Sequence, residues 1–221
     1  MKIGIIGATG RAGSRILEEA KNRGHEVTAI VRNAGKITQT HKDINILQKD
    51  IFDLTLSDLS DQNVVVDAYG ISPDEAEKHV TSLDHLISVL NGTVSPRLLV
   101  VGGAASLQID EDGNTLLESK GLREAPYYPT ARAQAKQLEH LKSHQAEFSW
   151  TYISPSAMFE PGERTGDYQI GKDHLLFGSD GNSFISMEDY AIAVLDEIER
   201  PNHLNEHFTV AGKLEHHHHH H

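Results

Sequence analysis

Apolar residues along this chain follow two alternating rhythms. Short, almost unbroken runs of Val, Ile, Leu and Ala occur at 2–6, 26–31, 44–48, 64–68, 97–101, 148–153 and 207–210. Their length and β-branched content predict strands, and the lack of polar alternation in several predicts burial on both faces, as in a parallel sheet. Between the runs the apolar spacing lengthens to three or four residues. Segment 14–23 carries Ile16, Leu17 and Ala20 and stops at Gly24, a residue suited to ending a helix. Segment 74–90 carries Val80, Leu83, Leu86, Ile87 and Leu90; segment 129–143 carries Ala131, Ala135, Leu138 and Leu141 behind Pro129, which fits a first helical position; segment 187–199 carries Ala191, Val194, Leu195 and Ile198. Strand–helix alternation of this kind predicts an α/β fold with a doubly wound, mostly parallel sheet of the Rossmann type. Two stretches break the rhythm, 107–128 and 154–186. Both are too long for ordinary connections and both follow late strands, so they are expected to cover the carboxyl ends of those strands as lid or substrate segments.

The first strand runs into "GATGRAG", with Gly7, Gly10 and Gly13 three apart, and the predicted helix follows at once. Such a turn lets backbone approach a ligand closely, and a helix N-terminus presents unpaired N–H groups to a pyrophosphate. It is also what a merely tight strand–helix turn looks like; the strand-before, helix-after context favours a dinucleotide site. At the end of the second strand, where an NAD-binding unit usually carries an acid for the ribose hydroxyls, this chain has Arg32. An arginine there invites a 2′-phosphate, with Arg11 and Lys36 as further charge; otherwise it caps a strand end in solvent. Asp50, ending the third strand, is placed to accept from an adenine amino group, or is a plain loop carboxylate. Ala68, Tyr69 and Gly70 end the fourth strand with residues that let a cofactor lie across the sheet edge.

Composition then removes other classes of function. There is no cysteine, so disulfides, thiol nucleophiles and thiolate metal sites are excluded. The formal charge of −12 disfavours nucleic acid as partner. No apolar run reaches the ~18 residues of a membrane span, and the opening reads as a strand rather than a signal peptide, so a cytoplasmic protein is expected. Residues 214–221, LEHHHHHH, read as an expression tag, which leaves 1–213 as one expected domain. The remaining histidines are scattered without a His-Glu-x-x-His pattern, so no metal site is expected. "SPS" at 154–156 lacks the nucleophile-elbow glycines, Ser186 to Asp189 reads as a helix cap, Met158 and Phe159 read as core before they read as an aromatic pocket, and His174 reads as a solvent residue before a proton donor.

Taken in order, "GATGRAG", "VRN", "KDIFD", "VVVDAYG", "LLVVGGAASL", "ISPSAMFEPG" and "FISMEDYAIAVLDEIE" resemble the atypical short-chain dehydrogenase/reductases of the NAD(P)H-binding, NmrA-like type, nearest to NADH-flavin reductases and biliverdin reductase B-like proteins. The resemblance spans nearly the whole of 1–213. It implies a Rossmann fold with a small C-terminal substrate lid, and NADP (or NAD) as cofactor. It implies cofactor contacts at Gly7, Thr9, Gly10, Arg11 and Arg32, with Gly13 completing the turn, Asp50 flanking adenine, and Ser154, Pro155 and Ser156 bordering the nicotinamide. The wider superfamily pairs a proton-donating tyrosine with a lysine four residues on. Here the nearest match is "YPTAR", Tyr128 to Arg132, with Lys136 a further turn along and Ser106 as the serine after the fifth strand. Arginine holds charge near the tyrosine but does not titrate as lysine does. Tyr127 and Tyr128 equally read as packing beneath the lid.

Three functions follow as expectations. The first is an NAD(P)H-dependent reductase of a flavin, quinone or similar conjugated small molecule. The second is an NmrA-like protein that senses cofactor without turnover. The third, a sugar-nucleotide epimerase or dehydratase, needs a stronger Tyr/Lys pair than this chain carries.

Overall fold

In a computed structural model, the structure describes residues 1–35, 37, 41–143 and 147–213. Lys36 and the tag at 214–221 lie outside the described residues. The seven expected strands form, as β1 (Lys2–Ile6), β2 (Glu26–Val31), β3 (Asn45–Gln48), β4 (Val64–Asp67), β5 (Arg97–Val101), β6 (Trp150–Ser154) and, at the chain end, β10 (Glu206–Gly212). Three more lie inside the stretch expected to be irregular: β7 (Met158–Glu160), β8 (Tyr168–Gly171) and β9 (Phe184–Ser186). They are three or four residues long and separated by Gly, Pro and Asp, too short for an apolar period to register.

The main sheet has the order β3-β2-β1-β4-β5-β6-β10-β8, and every neighbour pair is parallel except β10 with β8. β7 and β9 form a separate parallel pair. The burial follows the order. β4 and β6 are buried throughout, whereas the edge strand β3 is exposed at both ends. Strand order reverses at β1 and β4, the switch point where doubly wound sheets open a crevice for ligands. The expected α/β doubly wound Rossmann sheet is therefore what this sequence builds.

Helices cover both faces: α1 (Arg11–Asn22), α2 (Leu56–Leu59), α3 (Lys78–Leu90), α4 (Lys120–Arg123), α5 (Tyr128–Ser143) and α6 (Met187–Glu199). α1 packs on α6 over one face, where Ile16, Leu17, Val194 and Leu195 meet Ile3, Ile5 and Val66. α3 packs on α5 over the other, where Leu83, Leu86, Leu138 and Leu141 meet Val65, Leu98 and Val100. Gly24 ends α1 as its sequence suggests: φ is +84°, and the N–H groups of Gly24 and His25 return to the carbonyls of Lys21 and Ala20 at 3.0 and 3.1 Å. The helix expected over 74–90 is divided, because Pro73 opens a separate short turn, Pro73–Glu75, before α3 begins.

One buried ion pair ties the β5–β6 side to the last helix. Arg97 donates to Glu197 Oε2 at 2.7 Å, to Thr151 Oγ1 at 2.6 Å and to the Glu197 carbonyl at 3.1 Å. Glu197 also accepts from the backbone of Asn202 and His203. Both side chains are under 10% exposed, so each charge is solvated by the other and by these hydrogen bonds, with the His203 ring nitrogen also 2.8 Å from Glu197 Oε1.

Candidate functional site

The carboxyl ends of the strands open onto one cleft of about 800 Å³, the size of a site for a cofactor with its substrate. The glycine turn forms its floor at the switch point. Gly7 has φ +75°, and a Cβ there would lie 2.3 Å from the Ala68 carbonyl oxygen; a Cβ on Gly13 would lie 2.0 Å from the Gly7 oxygen. These two glycines let the turn fold on itself. Gly10 is different: a Cβ would meet only the Gly7 oxygen, at 3.3 Å, and its φ of −73° is open to any residue. What a larger residue at Gly10 would fill is the cleft. The first i to i−4 bond of α1 runs from Ser14 N–H to the Gly10 oxygen, so the N–H groups of Arg11, Ala12 and Gly13 precede the helical ladder. No acidic residue occupies that first turn. The arrangement fits a pyrophosphate.

Among the described residues, the lysines and arginines that line the cleft are Arg11, Arg32 and Lys49, which follow the glycine turn, β2 and β3. Lys49 is held by Asp58 at 2.7 Å. Thr9, Ala68, Tyr69 and Gly70 line the cleft with them, as their place in the sequence suggests. Asp50 does not. Its Oδ1 accepts the Phe52 N–H at 3.0 Å and caps the turn Ile51–Asp53, while its neighbours Lys49 and Ile51 line the cleft instead.

Beyond β5 the walls change character. A Cβ on Gly102 would strike the Tyr152 ring at 2.1 Å, and one on Gly103 the Gln134 amide oxygen at 2.3 Å. The paired glycines let both side chains close over the strand end. Tyr152 is fully buried, accepts from Gly103 N–H at 3.2 Å and donates to the Gln134 carbonyl at 2.8 Å; burial pushes its hydroxyl well above the ordinary tyrosine range. Beside it, burial pushes the Asp67 carboxyl up to about 6, against a hydrogen bond from Tyr69 N–H that favours the charge. Its Oδ2 has no partner.

Several residues expected at the reacting centre take other places. Ser154 is buried: its hydroxyl donates to the Gly103 oxygen at 2.7 Å and meets His207 Nε2 at 2.8 Å, so it braces strand ends beneath the cleft. Burial lowers His207 to about 4, so the ring is neutral and fits such a brace. Pro155 and Ser156 do line the cleft, although the Ser156 hydroxyl points inward to the Val210 oxygen. Ser106 Oγ is buried without a partner, and its neighbours Ala104 and Ala105 line the wall. Neither Tyr128 nor Arg132 lines the cleft: Tyr128 is half-buried against the apolar cluster of Ala105, Leu122 and Ala131, and Arg132 is exposed. Residues 127, 130, 131 and 134 of that helix and its lead-in face the cleft, and the 3.6-residue period turns 128, 132 and 136 away. Arg132 and Lys136 are exposed, and Tyr128 borders a separate shallow pocket with Asp110 and Arg123. Ser186 caps α6 by accepting the Asp189 N–H at 3.0 Å.

Sequence reasoning missed Lys49, His79, Thr130 and Gln134, all of which line the cleft. The i, i+4 spacing of Thr130 and Gln134 was the available signal. Phe159, read as core, does both jobs: it lines the cleft and packs on Tyr190 with ring centres 4.9 Å apart. The two long segments meet each other: Gln108 N–H donates to the Asp173 oxygen at 2.8 Å and Leu175 N–H to the Gln108 oxygen at 2.9 Å.

Comparison with known proteins gives a consistent result. A family model described as NAD(P)H-binding matches residues 7–201. The uncharacterized protein YwnB of Bacillus subtilis (strain 168) is 50% identical over 216 residues, 97% of this chain and all of the relative. Among solved structures, the Lmo0794 protein of Listeria monocytogenes is 80% identical with a TM-score of 0.71, covering 96% of this chain and all of that one. SP1627 of Streptococcus pneumoniae TIGR4, named "a putative NADH-flavin reductase", is 39% identical with a TM-score of 0.88 and the same coverage.

Proposed function

The chain belongs to the NAD(P)H-binding, NmrA-like family, and from that premise we propose that it is an NADPH-dependent reductase of a flat, conjugated small molecule, working in the cytoplasm. The observation that carries the reading is the division of the cleft, with a cationic glycine-turn end for the nucleotide and an uncharged, largely apolar end beyond β5. Arg11, Ala12 and Gly13 would hold the pyrophosphate, Arg32 and Lys49 a 2′-phosphate, and Gly102 to Ala104 with Pro155 and Ser156 would border the nicotinamide. When bound, the reduced cofactor supplies a hydride. The protein's part is to press the acceptor ring against it and exclude water. Charge arriving on a conjugated ring is delocalised and is protonated from solvent, so no tuned acid is required; the position of Tyr128 and Arg132 outside the cleft supports this lighter demand. Steady-state NADPH oxidation with FMN, riboflavin and a quinone tests it: turnover with none of them, alongside intact NADPH binding, would return the protein to the cofactor-sensing reading.

Three results are expected here. Arg32→Ala should lose about 1.5–3 kcal/mol of NADPH binding, roughly one to two powers of ten, and leave NADH nearly unaffected. Paired titrations check this; equal affinity of the native protein for both cofactors would show that Arg32 reads no phosphate. Tyr128→Phe should keep its reductase rate within about tenfold, whereas losing a true general acid costs ~10²–10⁴-fold. Segments 107–128 and 154–186 should gain hydrogen-exchange protection when NADP⁺ and acceptor bind together. Within the second, 162–166 should already be slow, because Asp189 accepts from Thr165 and Gly166 N–H at 2.8 and 2.9 Å and Glu188 from Gly162 at 2.8 Å.

A further inference from the structure

We propose that the acceptor end of the cleft takes an uncharged flat ring, an unphosphorylated flavin or a quinone, in preference to a phosphorylated flavin, and that Tyr127 is the plate covering the ring's outer face. This rests on the reductase reading and names its substrate class. The glycine turn and Arg32 assign the nucleotide's phosphates to one end, so the acceptor meets the rest: Leu116, Leu122, Tyr127, Thr130, Gln134 and Phe159. Among the described residues lining that end there is no lysine, arginine or carboxylate. Lys120 and Arg123 flank Leu122 in sequence without lining the cleft, and Arg123 opens instead onto the shallow pocket beside Asp110. His79 lines the cleft, and burial lowers its pKa, which keeps it neutral near pH 7. A phosphate brought here would find no counter-charge, on a protein whose formal charge is −12.

Tyr127 stands out for the opposite reason. It is 57% exposed although it is a large aromatic lining a cleft. Aromatic rings contribute most when a second ring covers them in offset or edge contact. Leu122, Ala131 and Ala105, which form a buried apolar cluster, line the same cleft as Tyr127, so a ring seated there has a dry wall to rest on and an aromatic plate within the same cleft. Reduction adds one hydride from the nicotinamide and one proton from water, two electrons in all, and takes a quinone to its hydroquinone or a flavin to its dihydroflavin. No phosphate bond is made or broken, so the chemistry asks for no cation at this end.

The test uses the full-length protein loaded with NADP⁺, which binds without turnover, and reads flavin fluorescence quenching. Riboflavin should bind at least about tenfold more tightly than FMN. Tyr127→Ala should weaken riboflavin about tenfold while NADP⁺ affinity holds. Thr130→Lys, which places a cation at the acceptor end, should shift the ratio about tenfold toward FMN. FMN binding as well as or better than riboflavin, binding of neither, or an unchanged riboflavin affinity in Tyr127→Ala overturns the proposal. Binding in the expected order without NADPH oxidation would instead sink the reductase reading alone.

Discussion

Gly10→Val is expected to raise the dissociation constant for NADPH by about two to four powers of ten and to leave the melting temperature nearly unchanged. The Gly10 backbone is extended and a Cβ there touches only one oxygen, at 3.3 Å, so valine is compatible with the fold. Its branches then stand where a pyrophosphate must approach the N–H groups of Arg11 to Gly13. Charge-assisted hydrogen bonds are worth about 1.5–3 kcal/mol each, and displacing the phosphates forfeits at least two of them, roughly 3–6 kcal/mol. Gly7 and Gly13 make the contrast, since any side chain there strikes a backbone carbonyl within 2.3 Å and should cost the fold itself. Fluorescence titration with NADPH beside a thermal melt distinguishes the two classes. An unchanged NADPH affinity in Gly10→Val would remove the glycine turn as the phosphate site.

The second large effect is on stability. Arg97→Ala leaves Glu197 charged, buried and without its cation, which typically costs 3–5 kcal/mol. For a chain of this size that is a fall in melting temperature of roughly 10 °C. The double change Arg97→Met with Glu197→Leu should recover most of it, because desolvation of the pair offsets much of its attraction. Thermal denaturation of the three variants decides the matter. A double variant no more stable than Arg97→Ala would mean that the hydrogen bonds to Thr151 and from Asn202 and His203, rather than the charges, hold this corner.

How much of this was legible from sequence follows from element length and from solvent. β1, β2 and β5 have the bounds their apolar runs suggested, since burial on both faces leaves an unbroken signal. Strands β7 to β9 were illegible, being short and punctuated by glycine and proline. At the site, the glycine turn carries its own meaning because backbone conformation constrains residue type there. Tyr128 misled because adjacent tyrosines straddle the start of α5, and one residue is 100° of helix; only the packed helix reveals that Tyr127 faces the cleft. Asp50 misled because a carboxylate after a strand has a competing local partner, the Phe52 N–H. His79 carried no signal, since a polar residue on an amphipathic helix looks solvated until the sheet end closes under it.

The position of β10 bears on how the protein is made. The last strand in the chain is the seventh in the sheet, seated between β6 and β8. During synthesis β6 emerges with one edge bare, and β8 emerges with no neighbour in the main sheet at all. Neither is satisfied until residues 206–212 leave the ribosome, and bare strand edges are what chaperones and aggregation compete for. A nascent chain interrupted before that point is an open sheet rather than a slightly shortened native fold. Pairing of 206–212 between β6 and β8 thus closes this side of the sheet, so a chain lacking those residues leaves both strands without their shared neighbour.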